Sequence, residues 1–72
     1  MKKIKKIKIK VNGKITTIVD KITLAELIND LKIPIRKVEI EFNKEIIDKK
    51  RIKKLKLKNN DVIEIVHFIG GG

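Results

Sequence analysis

The sequence predicts a two-layer α+β domain: a mixed four- to five-stranded sheet with one main helix packed across it. Three observations carry this. Apolar and charged residues alternate in IKIKV, VEIEF and VIEIV, which is the period of half-buried strands. Asn12-Gly13 divides two alternating runs and favours a tight hairpin. TLAELINDL carries one apolar stripe at helical spacing, and such a helix needs a sheet to lie on.

The hairpin spans Ile7 to Ile18. Asn and Gly both accept positive φ, as a two-residue type I′ turn requires. That turn sets the register: Val11 faces Lys14, Ile9 faces Thr16 and Ile7 faces Ile18. Thr16 and Ile18 then point inward, and Ile15 and Val19 point outward.

The helix is expected within Thr23 to Pro34. Thr23 and Glu26 form a T-x-x-E capping box, with Ile22 and Leu27 placed for a hydrophobic staple. Leu24, Leu27, Ile28 and Leu31 make the apolar stripe. Pro34 disfavours helical geometry at Ile33 and ends the element nearby.

Val38 to Asn43 is the next strand, with Val38, Ile40 and Phe42 on one face. Asn43-Lys44 is a turn, and Glu45 to Ile47 a short return strand. Asp48 to Asp61 reads as a helical turn or irregular chain that tucks Ile52, Leu55 and Leu57 underneath. Asn59-Asn60 suits a turn, because Asn tolerates the left-handed region. Val62 to Val66 is the last strand, with Ile63 and Ile65 inward. A hairpin followed by a helix across such a sheet is the β-grasp arrangement, with the last strand beside the first in the sheet centre. The expected division is a domain over 1–66 and a flexible glycine tail over 67–72.

Seventy-two residues allow one domain. A domain this small buries only about 60% of its unfolded surface. With no cysteine, neither a disulfide nor a thiolate zinc site supports it. The net charge of +10 raises a polyanion partner as one reading. Against it, the lysines are spread along the chain and alternate with isoleucine as outward strand positions. No aromatic platform for stacking bases accompanies them. Neither nucleic acid nor membrane is therefore expected as a partner, although a small basic nucleic-acid module stays open as a remoter alternative. No apolar run approaches the about 20 residues of a membrane span, and the basic start lacks a signal-peptide apolar core. The expected location is the cytoplasm.

The chain is poor in catalytic groups. It has one histidine, three threonines and no serine, cysteine or tyrosine. His67 alone makes no metal cluster and suits a strand end. Glu39 and Glu41 share the outer face of one strand, where solvent and lysines surround them. Neither Asn12-Gly13 nor the GGG run has phosphate-loop spacing. No catalytic residue, metal or bound cofactor is expected, and the chain reads as a binding partner or protein substrate.

HFIGGG (His67 to Gly72) fits that reading. Six extended residues reach about 20 Å. Glycine has no side chain, so such a rod enters a channel too narrow for a Cβ. A carboxylate on Gly72 could be drawn to the α-phosphate of ATP and converted to an acyl adenylate, open to sulfide or a thiol. Phe68 and Ile69 supply apolar anchoring just before the glycines.

Four stretches stand out together: KVNGK (Lys10 to Lys14), TLAELI (Thr23 to Ile28), VEIEFNKEII (Val38 to Ile47) and LKNNDVIEIVHFIGGG (Leu57 to Gly72). In these the chain resembles the ThiS-type sulfur carrier proteins of thiamine biosynthesis, in the wider β-grasp, ubiquitin-like group. The resemblance implies a carrier cycle. Gly72 is the group adenylated with ATP by an E1-like enzyme of the ThiF type and turned into a thiocarboxylate by a sulfur donor. Gly70 and Gly71 thread the tail, and Phe68, Ile69 and Val66 meet partners. The thiocarboxylate then gives sulfur to a thiazole synthase of the ThiG type. A carrier for molybdopterin or tRNA thiolation, or a ubiquitin-like modifier, would use the same glycine end. The chain departs from the family pattern at Asn60, where glycine is usual before Asp61. It departs again at Asp48 to Ile52, where many members have a proline and an aromatic, and in its basic charge. Ile15, Val19 and Val66 are candidate outward apolar contacts.

Overall fold

The computed structural model describes residues 4–68. Its strands are β1 (Lys6–Val11), β2 (Lys14–Val19), β3 (Val38–Phe42), β4 (Glu45–Ile46) and β5 (Val62–His67). One helix, α1 (Leu24–Asp30), follows β2, and a 3-10 turn over Ile35–Lys37 leads into β3. The five strands form one sheet in the order β2-β1-β5-β3-β4. The last strand thus lies in the centre, parallel to β1 and antiparallel to β3. This is the β-grasp arrangement.

The hairpin register is the expected one, with Ile7 opposite Ile18, Ile9 opposite Thr16 and Val11 opposite Lys14. Asn12 and Gly13 both have positive φ, 50° and 81°, as a type I′ turn demands. Asn43 and Lys44 repeat the device between β3 and β4, with φ of 48° and 72°.

The capping box at α1 is complete. Thr23 Oγ1 accepts the Glu26 N–H at 3.1 Å, and Glu26 Oε1 accepts the Thr23 N–H at 3.0 Å. The two N–H groups between them go to the loop before β5: Leu24 donates to the Leu55 carbonyl at 2.8 Å and Ala25 to the Ile52 carbonyl at 3.1 Å. Every free donor of the first turn is thereby satisfied.

The helix is shorter than expected, and Pro34 is not what stops it. Lys32 adopts φ 57°. Its N–H donates to the Asn29 carbonyl at 3.0 Å, and the Ile33 N–H to the Ile28 carbonyl at 3.2 Å. This is a Schellman turn, with lysine in the place usually held by glycine. Because α1 ends at Asp30, Leu31 falls off the buried stripe and is 43% exposed.

The core lies between the helix and the inner sheet face. Leu24, Leu27 and Ile28 meet Ile7, Ile9, Val38, Ile40, Ile63 and Ile65, and Ile52 and Leu57 close one side. Each such side chain contributes about 2 kcal/mol by leaving water. Asp48 to Asp61 is a series of turns rather than a helix, with Ile52 and Leu57 buried and Leu55 half-buried.

Candidate functional site at the root of the glycine tail

Of the residues expected to act, Ile69, Gly70, Gly71 and Gly72 lie outside the described residues. The structure does describe what leads to them. β5 runs one residue further than its expected end at Val66, to His67. Val38 pairs with His67, and the Phe68 N–H donates to the Lys37 carbonyl at 2.9 Å. The chain is therefore held by β3 and the 3-10 turn as far as Phe68.

Val66 is 61% exposed and Phe68 52%. Val66 lies on the outer sheet face opposite Glu39. The Lys49 ammonium stands 5.3 Å from the centre of the Phe68 ring, within cation–π range. Nothing in the sequence signals that contact, since Lys49 is one lysine of many.

The other outward apolar residues are also exposed, Ile15 at 70% and Val19 at 47%. They do not gather round Val66. Val19 pairs with Lys6 at the start of β1, whereas Val66 lies beyond the β1–β5 overlap at the hairpin-turn end. Val19 and Val66 thus mark opposite ends of the sheet.

Asparagine side chains anchor β5 in place. Asn12 Oδ1 accepts the Ile65 N–H at 2.7 Å, and the Asn12 N–H donates to the Ile63 carbonyl at 2.9 Å. Asn43 Oδ1 accepts the Val62 N–H at 2.8 Å and its amide donates to Asp61 Oδ1 at 3.1 Å. Asp61, buried, also accepts the Lys58 N–H at 2.7 Å. The hairpin motif showed Asn12 as a turn residue and gave no sign of this second task.

Among the described residues, no group of three or more His, Asp or Glu side chains comes together to hold a metal. Glu41 faces Glu64 across the outer sheet face, and Glu39 faces Val66. Among the described residues, no helix is long and apolar enough to cross a membrane.

A small β-grasp domain whose central strand runs out toward a glycine tail defines the class of ubiquitin-like carrier proteins. The ThiS family model matches residues 9–72. The chain is 46% identical over 50 residues to the sulfur carrier protein ThiS of Bacillus subtilis (strain 168), covering 69% of this chain and 76% of that one. It is similar in structure to the thiamine biosynthesis protein ThiS of Geobacter metallireducens, with a TM-score of 0.80 and 29% identity. That match covers 92% of this chain and all of the other. A thiazole synthase of Paramagnetospirillum magneticum (strain ATCC 700264 / AMB-1) is 35% identical over 65 residues, covering 90% of this chain but only 20% of the synthase. The chain belongs to the ThiS family. It is a sulfur carrier protein rather than an enzyme.

Proposed function

We propose that the carboxylate of Gly72 carries sulfur as a thiocarboxylate for thiazole formation in thiamine biosynthesis. The observation that supports this most directly is that the family match runs through residue 72, taking in Gly70, Gly71 and Gly72. In the proposed cycle a carboxylate oxygen attacks the α-phosphorus of ATP on a partner adenylating enzyme, and pyrophosphate leaves. Sulfide then attacks the acyl carbon of the adenylate and expels AMP. One oxygen has been exchanged for sulfur, with no change of oxidation state at carbon.

A thiazole synthase is the proposed acceptor. The likeness of this chain to one stretch of a thiazole synthase supports that pairing. This chain's own part is to anchor the chain as far as Phe68. The hydrogen bond from Phe68 to Lys37 fixes where the tail departs. Residues 70–72, lacking side chains, suit a narrow channel.

The test is the intact mass of the protein after incubation with ATP, sulfide and the adenylating enzyme of its own organism. The expected result is a gain equal to one oxygen-to-sulfur exchange, lost when Gly71 and Gly72 are deleted while the thermal melt is unchanged. An unmodified mass, with an enzyme active on a known carrier, overturns the reading.

A further inference from the structure

We propose that the cationic segment Lys49–Lys58 docks on an acidic rim around the tail-receiving cleft of the adenylating enzyme. This rests on the carrier function proposed above and names the chemistry of the partner surface. Seven of the ten residues from Lys49 to Lys58 are Lys or Arg, and none is acidic.

The segment is a fixed frame. Ile52 and Leu57 are buried, and the carbonyls of Ile52 and Leu55 take N–H groups from the start of α1. The Leu57 N–H returns to the Ile22 carbonyl at 2.8 Å. Lys50, Arg51, Lys53 and Lys54 are exposed around these anchors. Displaying charge from a backbone already ordered lowers the entropic cost of docking.

Among the described residues, the side chains of this segment form no ion pair. The ion pair found among the described residues joins Lys5 to Asp20, at 4.0 Å, and involves none of this segment. Crowded like charges weaken a fold by self-repulsion, and an opposing surface relieves it.

The segment lies beside Phe68, the last described residue before the glycines. Lys49 stands over the Phe68 ring, and Lys37, another cation, holds the Phe68 backbone through its carbonyl. A partner that receives the tail must bring its cleft mouth up to these cations. A nucleic acid would gain no such advantage from the tail root. It would also find, among the described residues, only the exposed rings of His67 and Phe68 and the half-buried Phe42, too few for a stacking platform.

The test compares two doubly charge-reversed variants of the full chain. One is Lys50→Glu with Lys53→Glu. The other is Lys6→Glu with Lys14→Glu, on the β1–β2 hairpin. Affinity for the organism's adenylating enzyme is measured from low to high salt, beside thermal melts and mass conversion at saturating enzyme. The first variant is expected to bind about tenfold more weakly at low salt, with a flatter salt dependence. The second is expected to stay within about twofold, and both to melt like the wild type. Equal affinities for the two variants overturn the docking surface. If the wild type is still converted to the thiocarboxylate, the carrier function stands without it. Binding of the wild type without conversion counts against the carrier function instead, and absence of both overturns both. Tighter binding to poly(U) RNA than to the enzyme, lost in the first variant, assigns the segment to nucleic acid and also overturns the proposal.

Discussion

Asn12 and Ile65 are joined by a 2.7 Å hydrogen bond from the Ile65 N–H to the Asn12 side-chain oxygen, across 53 positions of sequence. It continues the parallel pairing of β1 with β5 past the point where β1 turns away. Two roles therefore meet in one residue: φ of 50° in the turn, and an acceptor for the central strand. They separate experimentally. Asn12→Gly keeps the turn and loses the acceptor, and should cost about 1 kcal/mol. Asn12→Ala adds left-handed strain and should cost about 2–3 kcal/mol. Asn12→Asp keeps both and should lie near the wild type. Urea unfolding of the three variants checks the order.

The C-terminal end of α1 offers a gain. Lys32 occupies the left-handed position of the Schellman turn. A non-glycine residue there costs about 1–2 kcal/mol. Glycine removes that cost and returns about 0.4–1 kcal/mol of it through the freer unfolded chain. Lys32→Gly should therefore stabilise by about 0.5–1 kcal/mol, raising the melting temperature by about 3–5 °C in a domain of this size. Lys32→Ala, which lacks the conformational freedom, should give no gain.

What the sequence made legible, and what it hid, follows one division. Local chemistry was readable: Asn12-Gly13 set the hairpin register, and Thr23 with Glu26 marked the helix start. The inward residues of β1, β3 and β5 followed from alternation. Interactions between distant segments were not. The helix start takes two of its acceptors from Ile52 and Leu55, in a segment whose own pattern suggested only irregular chain. Asn12 reaches Ile65, and Lys49 reaches Phe68, with no spacing rule to announce either. The helix end was misplaced because Pro34 is a visible breaker, whereas a lysine at positive φ carries no mark. At the site, Val66 and Phe68 were found exposed as their positions suggested. The cations beside them were hidden among nineteen Lys and Arg residues. The departure at Asn60 has a physical resolution: its φ is 73°, so the turn keeps a left-handed geometry that glycine would also accept.

Asp61 and Asn43 couple the β3–β4 turn to the start of β5. The carboxylate takes the Asn43 amide on one oxygen and the Lys58 N–H on the other. Asp61→Ala strands both donors in a part-buried place and should cost about 2–3 kcal/mol. Asn43→Gly keeps the positive φ and removes the amide. Because the two residues share a bond, the double variant should lose about 1 kcal/mol less than the sum of the singles. A double-mutant cycle by chemical denaturation checks this, and full additivity would show that the bond carries no weight.

Glu41 on β3 and Glu64 on β5 face each other on the outer side of the sheet. Like charges directly opposite in a sheet oppose pairing by a few tenths of a kcal/mol, up to about 1 kcal/mol. Neither forms an ion pair among the described residues, where the pair found is Lys5 with Asp20. Glu64→Gln should therefore raise stability by about 0.5 kcal/mol. The gain should shrink as salt rises, because half-exposed charges are screened over a length of about 8–10 Å at moderate ionic strength. A gain that persists unchanged at high salt would mean that the glutamate costs the sheet through packing or desolvation rather than repulsion. Melting curves of the wild type and Glu64→Gln at two salt concentrations decide between the two.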